Sequence, residues 1–165
     1  MNNSRKQEIN DGVSYLQYKR HNILKKIKEV RTLSKEIYKI HTDKELYIRT
    51  FKLINNIYTE LITYFNIEEE FLFHEIEKIT HDHNSFNKLK EEHLQLLRLC
   101  NTVLNHLGDC ETLSHNCGEL HTLIDNLTNI LHRHLNRNEH LFYQRCRKIM
   151  SPETLGYLYQ QILSR

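Results

Sequence analysis

The sequence predicts an all-α fold, an up-down-up-down four-helix bundle with a short C-terminal helix. Three observations carry this. A chain of 165 residues has only four Gly, one Pro and no Trp, a composition of long helices and short turns. Apolar residues recur at helical rather than alternating spacing over most of the length. The turn-forming residues cluster at a few places, each between two such stretches.

Residues 1–12 read as a flexible leader and 13–165 as one domain, a size that supports a real core. The first helix is predicted from Val13 to His41, with Val13, Leu16, Ile23, Leu24, Ile27, Val30, Leu33, Ile37 and Ile40 as its apolar members. Thr42-Asp43 is a turn, with Asp43 placed to cap the next helix. That helix runs from about Lys44 to Ile79, and the polar stretch Thr80 to Ser85 turns the chain. A third follows from about Phe86 to Leu107. Gly108 to Gly118 is the longest loop, and the fourth helix covers about Glu119 to Ile149. Ser151-Pro152 opens the short last helix, Ser as cap and Pro in its first turn.

Two stretches of this pattern match each other. Tyr64-Phe65-Asn66-Ile67-Glu68-Glu69 and His134-Leu135-Asn136-Arg137-Asn138-Glu139 share one arrangement, and apolar patches follow at Phe71-Leu72-Phe73 and Leu141-Phe142-Tyr143. In each copy the first and fifth residues lie one turn apart on one helix face, as two ligands of one metal must. That face is also the apolar one. Ile54, Ile57, Leu61, Tyr64, Glu68 and Phe71 form one stripe; Leu120, Leu123, Leu127, Ile130, His134, Asn138 and Leu141 form the other. Glu68 and His134 are thus aimed inward, where charge needs compensation.

Counting outward from the turns sets the levels. His21 and Tyr64 lie equally far from Thr42-Asp43, and His93 and His134 nearly so from Ser114. His21, Tyr64, Glu68, His93, His134 and Asn138 therefore gather at one height, which points to a metal or another polar ligand. His41 is excluded, about 30 Å of helix from His21. His21 fits the stripe only if the first helix is irregular near it. Tyr64 has a packing reading beside the ligand one, and Asn138 a hydrogen-bonding one. Glu69, Glu70 and Glu139 read as solvated, and Glu92 either borders the entrance or is solvated. Cys110, His115 and Cys117 lack a fourth ligand for a zinc site. His81, His83, His115 and His132 read as surface residues.

Other classes are excluded. Lys plus Arg exceed Asp plus Glu only by 23 to 21, too balanced to predict nucleic-acid or membrane partners. No apolar run reaches the roughly 18 residues of a span. The polar start MNNSRKQEIN is unlike a signal peptide. Four cysteines without a CxxC pair suit free thiols and a cytoplasmic location. Nothing supplies a nucleophile or a cofactor-binding loop, so no catalytic residue is assigned.

At these residues the chain resembles a hemerythrin-like HHE domain, and more closely the repair-of-iron-centres family of bacterial di-iron proteins. The resemblance rests on Lys19-Arg20-His21 through His41, on Tyr64 through Phe73 in the place of a His-x-x-x-Glu-Glu-x-x-Leu-Phe motif, on Glu92-His93 before a leucine run, and on His134 through Phe142 in the place of a His-x-x-x-Glu-Asn motif. It implies iron as cofactor, with His21, Glu68, His93 and His134 as ligands. Tyr stands where the family has His, and Asn138-Glu139 reverses the family's order. Tyrosinate is itself an iron ligand in some proteins; a bundle with two metals, one or none is open on the residues. The implied partners are iron-containing client proteins, whose iron–sulfur or iron centres are repaired after nitrosative or oxidative stress, or the small gases oxygen and nitric oxide. A degenerate, metal-free bundle acting through its surface is the remaining alternative.

Overall fold

The computed structural model describes residues 9–40, 42–108 and 117–164. The leader up to residue 8, His41, and Cys110 with His115 lie outside these residues, as do the side chains of Cys117 and Glu139. Seven α-helical segments are found among the described residues: α1 Gly12–Lys39, α2 Lys44–Ile67, α3 His74–Thr80, α4 Asn87–Gly108, α5 Cys117–Arg137, α6 Gln144–Ile149 and α7 Pro152–Leu163. Two π-helical segments, Glu68–Phe73 and Asn138–Tyr143, join α2 to α3 and α5 to α6 without a break. The result is the four long rods and short final helix that the sequence predicts.

The rods pack in a ring, α1 beside α2, α2 beside α4, α4 beside α5, and α5 back against α1. Cross-links show neighbours running antiparallel. Lys26 of α1 pairs with Glu60 of α2 while Arg49, nearer the start of α2, pairs with Glu29. Arg20, near the start of α1, donates from Nε to the Leu135 carbonyl at 2.9 Å near the end of α5. α7 packs across α1. The apolar stripes meet in one continuous core containing Leu16, Ile27, Ile54, Leu61, Leu96, Leu127 and Leu131. No helix among the described residues is long and apolar enough to cross a membrane.

Helix ends follow local chemistry. Asp43 accepts a hydrogen bond from the Glu45 amide at 2.9 Å, and Ser151 from the Thr154 amide at 3.2 Å. Each satisfies one of the amides that a helix start leaves open. Ile40, expected in the apolar stripe, instead ends α1 and is exposed. Ser151→Ala is expected to cost about 1 kcal/mol, read as a lower urea midpoint with an unchanged slope.

Candidate metal centre

The two π segments fall at matching points of the repeated motif. One begins at Glu68 and the other at Asn138. A π turn closes its hydrogen bonds one residue later than an α turn, so the side chain returning to the same face is five positions on, not four. From Asn138 that residue is Tyr143, and from Glu68 it is Phe73; both are buried. The α-helical stripe put Leu141 inward. The wider turn rotates it out, and it is 67% exposed.

Glu68, His93 and His134 each offer a ligand atom, all within 4.8 Å of one another. Glu68 is fully buried, His93 1% exposed and His134 4%. Among the described residues no other such group of His, Cys, Asp or Glu is present. His93 Nδ1 lies 2.6 Å from Glu69 Oε1, and His134 Nδ1 lies 3.2 Å from Glu92 Oε2. Both carboxylates accept, so each imidazole carries its proton on Nδ1 and turns a bare Nε2 to the interior. His93 Nε2 lies 3.3 Å from Glu68 Oε2, but the pair is not aligned as a hydrogen bond, and Nε2 has no hydrogen-bond partner. A buried acceptor with nothing donating to it is costly; a cation bound by Nε2 and Glu68 would satisfy both. The residues therefore fit a metal ion.

Rings fix the plane of these ligands. Phe65 stacks on His93, with centroids 3.9 Å apart and planes 6° apart, and meets His134 edge-on at 5.5 Å. Burial, followed by the nearby His93, holds the His134 imidazole below its ordinary value, so it stays neutral. Partial burial pushes the Glu92 carboxyl up, but hydrogen bonds from Arg137 and His134 together outweigh it and leave Glu92 below the usual glutamate range. Glu92 is thus an anion at neutral pH, able to hold the His134 Nδ1 proton.

Tyr64 and Asn138 reach the same place. The Tyr143 hydroxyl donates to Glu68 Oε1 at 2.9 Å, and the Tyr64 hydroxyl is hydrogen-bonded to that of Tyr143. Asn138 Nδ2 lies 3.3 and 3.4 Å from the two Glu68 oxygens and 3.2 Å from His134 Nε2. Burial, then the charge of Glu68, raises both phenols well above their ordinary value. Cys100 and Cys146 are buried thiols pushed up to about 12 by burial, which makes them inert at neutral pH.

His21 is the candidate that the structure leaves outside the cluster. α1 runs unbroken, without the irregularity that would turn His21 inward, and the residue is exposed. Arg20 takes the position facing α5, where its NH2 also donates to Asn136 Oδ1 at 2.9 Å. Tyr143 and the partnership of Glu69 with His93 were not expected from the sequence. Glu92, placed there either at the entrance or in solvent, lines a cleft of about 520 Å³ between α4 and α5 together with Leu96, Ile130, Arg133, His134 and Arg137.

A helical bundle with two imidazoles and a carboxylate converging in its core defines a candidate metal-binding domain. The hemerythrin HHE cation-binding domain family matches residues 19–146, and the chain belongs to that family. No curated protein and no solved structure matches the chain significantly.

Proposed function

We propose that the chain is a non-haem iron protein in which Glu68, His93 and His134 hold the metal, and that it serves in repair of iron–sulfur or other iron centres damaged by nitric oxide or oxidants. The observation that carries the metal assignment is the pair of inward Nε2 atoms, each fixed by a carboxylate on its own Nδ1, converging on the buried Glu68. Two histidines and one carboxylate are a ligand set suited to ferrous iron with coordination positions left free. The repair role draws on the four motifs in order that resemble the repair-of-iron-centres family.

Within the site each residue has a separate task. Glu69 and Glu92 hold the ring protons away from the interior and orient the imidazoles. Phe65 excludes water from one face of His93. The cleft between α4 and α5 brings solvent to the Glu92 side of His134. A bound iron ion would supply a redox-active Lewis acid at this point.

Anaerobic addition of ferrous iron, desalting and elemental analysis test the assignment. Retained iron is expected; a chain that retains none loses this reading and leaves the metal-free surface-acting one. Incubating the loaded protein with a nitric-oxide-damaged iron–sulfur enzyme then tests the role, and recovery of that enzyme's activity is expected. Fast reversible binding of oxygen or nitric oxide without such recovery would assign a gas-binding or sensing module instead. Glu69→Ala and Glu92→Ala should each weaken iron affinity about 10- to 100-fold, measured by competition with a chromophoric chelator.

A further inference from the structure

We infer that the interior holds a single metal ion and not a pair, because the groups that close the site around Glu68 are neutral: Tyr143, backed by Tyr64, on Oε1, and Asn138 between Glu68 and His134. This rests on the reading that Glu68, His93 and His134 hold an ion.

Proton accounting fixes the direction of the chain. Tyr143 has one hydroxyl proton and gives it to Glu68 Oε1, so the bond between the two phenols is donated by Tyr64. His134 gives its Nδ1 proton to Glu92, so its Nε2 accepts from Asn138; an ion bound at that Nε2 would take the lone pair and leave Asn138 to the Glu68 oxygens. The second amide proton of Asn138 faces the Glu68 oxygens at 3.3 and 3.4 Å. Every donor of these three side chains therefore ends on a ligand of the first ion or on the chain that leads to it.

A second ion would need ligands of its own. Among the described residues no further histidine, cysteine or carboxylate joins Glu68, His93 and His134 in their cluster. A neutral amide is a weak ligand, and the two phenols serve as donors. Charge argues the same way. One carboxylate against one ferrous ion leaves a single positive charge, which Glu69 balances through His93, Glu92 being already paired with Arg137. Another ion would add two more positive charges in an interior where Tyr64, Tyr143 and Asn138 are all buried, and uncompensated buried charge is expensive. The π turn at Asn138 is what builds this closure, because it brings Tyr143 to the face that Asn138 occupies.

The test is iron stoichiometry of the full chain after anaerobic loading with excess ferrous iron and desalting. One iron per chain is expected. Two per chain would overturn this inference while leaving the iron assignment standing; none would remove the assignment itself. After oxidation, electron paramagnetic resonance should show the half-integer signal of an isolated ferric ion accounting for the iron present. A silent spectrum from iron-loaded protein, as a coupled ferric pair gives, would overturn the single-ion reading. The visible spectrum should lack a phenolate-to-iron band; its presence would make a tyrosine a ligand and overturn the closure. In the double variant Tyr64→His with Asn138→Glu, uptake should rise from one iron per chain to two. Uptake that stays at one in the folded variant would show that these residues do not exclude the second ion.

Discussion

His93→Ala is expected to abolish iron retention through gel filtration, with affinity falling by at least about 100-fold. That exceeds the loss from a supporting carboxylate, because the substitution removes one of three donors outright. It also leaves Glu69 without its imidazole partner and opens a gap beside the Phe65 ring. His132→Ala is the control, a half-buried histidine of α5 outside the cluster, and should retain iron at the parent's level. If His93→Ala holds iron as tightly as the parent, His93 is a hydrogen-bonded core residue and the proposed centre fails. Far-ultraviolet circular dichroism on the same samples separates loss of the ion from loss of the bundle.

Most of the fold was legible because a helix writes its packing face into the sequence every three to four residues. The sequence predicts one rod over about 44–79 and another over about 119–149, and the structure has continuous rods at 44–80 and 117–149. Their π turns were not legible. One added residue per turn shifts the inward face by a single position, and a stretch such as Leu141-Phe142-Tyr143 is apolar in either register. The α-helical count therefore chose Leu141, whereas the structure buries Phe142 and Tyr143. His21 shows the opposite case. Its angle disagreed with Ile23 and Ile27, and α1 keeps the regular geometry that the disagreement implied. Helix level was the more reliable guide, since counting from turns brought Tyr64, Glu68, His93, His134 and Asn138 together. Glu69 and Glu92 escaped because each lies off its own helix's apolar stripe yet reaches a histidine on the next helix. Periodicity describes one helix at a time, so pairing across two is invisible to it.

Phe65→Ala is expected to cost about 3–5 kcal/mol, the usual range for deleting a buried aromatic ring. Phe65 is 2% exposed, and its ring stacks on His93, meets His134 edge-on and packs against Tyr64 at 5.9 Å. Deleting it removes the apolar wall between α2 and the two histidines, and rigid helix backbones on either side limit how far the gap can close. Against a total stability of about 5–15 kcal/mol for a domain, the loss is a large fraction. Urea unfolding in the presence of a chelator isolates this packing effect from any contribution of bound metal; the midpoint should fall with little change in slope. Iron affinity of the folded variant should fall as well, because the stacked ring fixes the plane in which His93 presents Nε2. Phe65→Leu keeps part of the volume without the flat stacking surface, so it should recover more of the stability than of the affinity. A stability loss below about 1 kcal/mol in Phe65→Ala would mean that the surrounding side chains refill the space, and that the ring does not set the geometry of the site.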